Sequence, residues 1–77
     1  MYNSLDDILE HSIVLTDALR RNWSIEILFL KNNHHMRYKY VVPVHIDIKK
    51  HIVSLERFDE RIIDINIEDI VFCEVMT

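Results

Sequence analysis

From Leu5 onward, apolar or methyl-bearing residues return every three or four positions: Leu5, Ile8, Leu9, Ile13, Thr16 and Leu19, with Leu15 widening the stripe. That period places them on one side of an α-helix, with Asp6, Glu10, Asp17 and Arg20 largely opposite. Ser4, with Asp7 three residues later, reads as an N-cap and its acidic partner. Arg20 and Arg21 suit the negative end of the helix, and Asn22 is a fitting C-cap. The pattern predicts a helix over 5–21.

After Asn22 the period drops from 3.6 to 2. Trp23, Ile25, Ile27 and Phe29 alternate with Ser24 and Glu26, which is the signature of a strand. Asn32, Asn33, His34 and His35 form the expected turn. Beyond them Met36, Tyr38, Tyr40, Val42, Val44, Ile46 and Ile48 hold every even position of a very long second strand. Pro43 has no N–H for a ladder, so the strand is expected to bend there or to change partner. Lys49-Lys50 turns the chain into a third strand over 51–57, and Phe58-Asp59-Glu60 into a fourth, marked by Ile63, Ile65 and Ile67. A tight, 3₁₀-like turn over 67–70 leads to a fifth strand over 71–75. The expected architecture is α+β: one N-terminal amphipathic helix followed by a five-stranded antiparallel SH3-like or Sm-like barrel. The whole of 1–77 reads as a single domain, helix 5–21 and barrel 23–75.

The chain has 77 residues, 49% of them hydrophobic, with one Cys, one Pro and no Gly. A domain this small buries only about 60–65% of its unfolded surface, so dense packing or self-association has to supply stability. Without glycine, phosphate-cradling loops of the P-loop and Rossmann kind are excluded. Left-handed turn positions fall instead to Asn22, Asn32 and Asn33. A lone Cys73, an opening MYNSLDDILEH without a basic start, and no apolar run of membrane-spanning length together suggest a cytoplasmic protein. The net charge of −4 is uneven: −4 over residues 1–19, +5 over 20–51 and −5 over 52–77.

From Leu9 to Val75 the chain resembles the YolD-like family, small proteins of low-GC Gram-positive bacteria and their phages. The resemblance rests on the helix that ends just before W-S-I-E-I-L-F-L, on V-H-I-D-I-K-K-H-I-V-S-L, and on the closing I-I-D-I-N-I-E-D-I-V-F-C-E-V. It departs from the family in lacking a K-W-x-P-like upstream segment within these residues. It also has Val42-Pro43 where members tend to have glycine. The resemblance implies an Sm-like barrel with no catalytic residues and an accessory role in DNA damage tolerance or phage biology. Its implied partner is a Y-family DNA polymerase or a phage's host target.

The candidate chemistry is sparse. His11, His34, His35, His45 and His51 lack the spacing of zinc ligands, so no metal is expected. Cys73 lies in an apolar strand beside Glu74 and reads as an inert thiol. The pairs Asp59/Glu60 and Glu68/Asp69 fall in solvated turns, where acid–base work has no cleft. No enzyme activity and no cofactor are expected. Leu28, Leu30, Val41 and Val71 fall on expected outer faces and exceed what one barrel needs inside. They mark a protein-binding surface, with a homodimer the simplest use of it, unless the helix covers them. The alternative is a nucleic-acid-binding barrel using Lys31, Arg37, Lys39, Lys49 and Lys50. Against it, Tyr38 and Tyr40 alternate with the cations and so are expected to face away from them.

Overall fold

A computed structural model describes residues 5–76, with side chains from Ile8 onward. The proposed cap at Ser4 and the side chain of Asp7 lie outside the described residues. Helix α1 (Leu5–Arg21) is followed by β1 (Ile25–Lys31), β2 (His34–Asp47), β3 (Ile52–Glu56), β4 (Ile62–Asn66), a 3₁₀ turn (Ile67–Asp69) and β5 (Ile70–Val75).

α1 ends on a Schellman motif. Asn22 takes a φ of 56°, and the Trp23 N–H donates to the Ala18 carbonyl at 3.0 Å. The helix seats on Leu15 and Ala18, both fully buried, flanked by Ile8 and Val14. This corrects part of the expected stripe. Leu9 and Ile13 point to solvent, because Ile13 lies about 140° round the helix from Ile8 at 3.6 residues per turn. Small Ala18 brings the backbone close to the sheet and turns the seat its way.

The strands meander antiparallel in the order β4-β3-β2-β1-β5. Asn32 and Asn33, at φ of 52° and 65°, make the two-residue turn of the β1–β2 hairpin. His34 and His35 therefore belong to β2 rather than to the turn. β2 pairs with β1 up to Val41 and with β3 from Val42, so it changes partner beside Pro43, as its missing donor suggested. The 3₁₀ turn is tied to the β2–β3 turn by the Ile67 N–H, which donates to the His51 carbonyl at 2.8 Å. The domain is barrel-like, but the sheet is open among the described residues. β4 and β5 are its two edges and do not pair with each other. A cavity of about 500 Å³ separates β4 from the tip of the β1–β2 hairpin.

Two irregularities in β2 overturn its apparent even-numbered inner face. Opposite Ile25 and Ile27 of β1 stand Val41 and Tyr38, so β2 holds one extra residue there. Tyr40 sits at that bulge with φ of 59° and is 62% exposed. The alternation flips past it. Val41 (2% exposed) and Pro43 are buried, while Val44 (39%) turns outward. A second extra residue lies between Pro43 and His45 opposite β3, and it restores the parity so that Ile46 packs against the core.

Candidate interaction face

The outer face of the three-stranded half of the sheet, β5–β1–β2, is built by register. On β1 the outward residues are Glu26, Leu28 and Leu30. Directly opposite Leu28 stand Phe72 on β5 and Arg37 on β2, and opposite Leu30 stands His35. Residues directly opposite share a face, so these form rows across the three strands. β5 is irregular here: Leu28 pairs with Phe72 and Phe29 with Ile70, leaving Val71 extra. Such a bulge lets two consecutive side chains leave the same face. Val71 is 48% and Phe72 38% exposed, between buried Ile70 and Cys73.

Of the four residues expected to bind a partner, the structure brings three together. Leu28 is half-buried, Leu30 is 40% exposed, and Val71 lies across the adjacent strand. Val41 is a correction. It belongs to the core, because the bulge at Tyr40 turns it inward. Phe72 was missed, since strict alternation from an outward Val71 would have put it inside. Helix α1 leaves Leu30, Val71 and Phe72 open to solvent.

The polar border of this patch is lopsided. Glu26 and Glu74 face each other across β1 and β5, while Arg37 and His35 run down β2. Arg37 reaches Glu26 at 3.4 Å. The remaining cations do not gather with them. Lys31 ends β1 opposite His34, whereas Lys49 and Lys50 lie in the turn at the far end of β2. Tyr38 packs on Phe29, ring centres 5.8 Å apart, and lies under the Arg57 guanidinium at 4.9 Å. Tyr38 faces away from Arg37 and Lys39, with which it alternates, as expected, although Arg57 covers its ring. Tyr40, by contrast, is turned out next to exposed Lys39.

Cys73 is buried, and its thiol is pushed up to about 12, first by burial and then by the charge of Glu10. It stays protonated at neutral pH and is a poor nucleophile there. His51 and Glu68 approach to 3.0 Å, tying the β2–β3 turn to the 3₁₀ turn. Among the described residues, no three His, Cys, Asp or Glu side chains are grouped to hold a metal, and no helix is long and apolar enough to cross a membrane. A second, narrower apolar strip, Leu9 and Ile13 with Ser12 and Thr16, runs along the outside of α1. No protein-family model, curated protein or solved structure matches the chain.

Proposed function

We propose that the chain is a non-catalytic protein-interaction module, an adaptor or regulator that works through the outer face of β5–β1–β2. The observation that carries this reading is the contiguous patch of Leu28, Leu30, Val71 and Phe72, left open on two adjacent strands of a very small domain. Exposing such a patch costs free energy unless a partner covers it. The protonated state of Cys73, the chain's one thiol, fits a passive role. On the resemblance to YolD-like proteins, the setting is the bacterial or phage-infected cytoplasm. The partner is then a DNA-repair polymerase of the Y family or a phage's host target. A photo-cross-linking residue placed at Leu30 tests the reading against one placed at Ile48, which is exposed but lies off the patch. Cross-linked protein species formed from position 30 and absent from position 48 are expected. Equal yields from both positions refute it.

One observation favours a second reading, nucleic-acid binding. Tyr40 is an exposed aromatic beside Lys39, the pairing of stacking surface and cation that single strands use. Titration with single-stranded DNA or RNA at low and high salt separates the two readings. Salt-sensitive binding that is lost in the Arg37→Ala/Lys39→Ala variant replaces the adaptor reading with this one.

A further inference from the structure

We propose that the partner seated on this face is a second copy of the chain, docked sheet on sheet with the strands crossing near a right angle. The inference rests on the reading of β5–β1–β2 as the binding surface, and it names the occupant. Its ground is the arrangement of charge around the apolar patch.

The face is laid out as a small grid. Along one border, across the strands, runs the acidic row of Glu74 and Glu26. Along the adjoining border, down β2, runs the basic column of Arg37 and His35, standing opposite Leu28 and Leu30. The apolar residues fill the remaining quadrant: Leu28 at the centre, Phe72 beside it, Leu30 beyond it, and Val71 at the corner. The two borders meet at the corner where Lys39 and Tyr40 lie opposite Glu26.

A two-fold axis lying in the plane of contact, along the diagonal from Val71 to Lys39, exchanges the row with the column. Under it Leu28 meets Leu28 of the other copy, and Phe72 meets Leu30. Glu26 meets Arg37, and Glu74 meets His35. Apolar groups fall on apolar groups and every acid falls on a base. Leu28 and Val71, on the axis, meet their own copies as apolar pairs; among the charged residues Lys39 alone meets its own kind, at the exposed rim, where a long side chain can swing clear. Turning the axis to lie across the strands would instead set Glu26 on Leu30 and Arg37 on Arg37. Setting it along the strands would put Glu26 on Glu26. The diagonal crossing is the orthogonal class of sheet packing, and a two-fold contact of this kind is self-complementary by construction. Glu26 and Glu74 stand directly opposite with the same sign, and Glu26 is already within 3.4 Å of its own Arg37, so the second copy adds a further Arg37 and a His35 to this acidic pair.

Three strands at about 4.8 Å spacing and three rows of side chains about 6.8 Å apart give a footprint of roughly 300 Å² per copy. That is well under half the area of a standard stable interface, so the dimer is a reversible one. Area alone does not set affinity, so the dimer is sought across the whole micromolar to millimolar range.

Sedimentation from micromolar to millimolar concentration tests this on the full chain and on exposed charge swaps, with circular dichroism confirming that each variant folds. The wild type is expected to pass from a 9.3 kDa monomer to its dimer across that range. Glu74→Lys and His35→Glu should each weaken dimerisation about tenfold. Glu74→Lys/His35→Glu, which sets opposite charges across the contact, should recover most of it. A wild type monomeric at millimolar concentration overturns the self-pairing and leaves the face available to another protein. A dimer indifferent to both Phe72→Glu and Glu74→Lys overturns the pairing and the choice of face together. Single swaps that weaken a dimer which the double swap does not recover overturn the orthogonal arrangement.

Discussion

Replacing Val41 and Val44 separately by alanine tests the irregular path of β2. Strict alternation puts Val44 inside and Val41 outside; the bulge at Tyr40 reverses them, leaving Val41 2% and Val44 39% exposed. Val41→Ala removes two buried methyl-sized groups, a transfer loss of about 1.6 kcal/mol. If the core closes over half the vacated space, a residual void of roughly 25 Å³ adds about 0.6 kcal/mol. The total is about 2 kcal/mol. Val44→Ala loses little burial and some strand preference, about 0.5 kcal/mol. In a domain of this size each kcal/mol lowers Tm by about 4–8 °C. Thermal melts followed by circular dichroism should therefore show a fall of roughly 8–16 °C for Val41→Ala and under about 5 °C for Val44→Ala. Equal falls, or a larger one for Val44→Ala, refute the bulge and restore the simple alternation.

Tyr40 is a bulky residue in the left-handed region, where Asn is far better tolerated. Tyr40→Asn should raise stability to urea by about 0.5–1 kcal/mol, and Tyr40→Ile should lower it by about 1–2 kcal/mol; equal midpoints for the two refute the assigned backbone. Cys73 has a folded pKa of about 12 against an ordinary value of 9.0, so the unfolded chain releases its proton first as pH rises. The stability tied to the thiol is whole below pH 9 and drains away between there and about 12, at up to about 1.4 kcal/mol per pH unit. Urea midpoints of the wild type should thus fall relative to Cys73→Ala across that window. A constant difference contradicts the burial of the thiol.

The helix and the hairpin turns were legible because their physics is local. Period 3.6 ends at a residue that tolerates positive φ, and Asn22, Asn32 and Asn33 all take it. The exchange of partners near Pro43 was legible because a residue without an N–H cannot hold one ladder throughout. The bulges were not, since Tyr40 to Val44 is apolar or aromatic at every position and so hides a change of parity. Tyr40 at the β1–β2 bulge and His51 and Glu60 in the turns occupy left-handed positions that their residue types do not advertise. The same limit hid part of the interaction face. Leu28, Leu30 and Val71 followed from excess apolar residues, whereas Val41 was misplaced by one bulge and Phe72 missed through another. The charge layout around the patch became readable only once register had set β5, β1 and β2 side by side.

A dilution series followed by amide chemical shifts tests most directly whether this face receives a second copy. Concentration-dependent shifts should centre on Leu28, Leu30, Arg37, Val71 and Phe72, with His35, Glu26 and Glu74 at their border. Shifts confined to Leu9 and Ile13 on α1 or to the Lys49–Lys50 turn, or no shifts up to millimolar concentration, would contradict it.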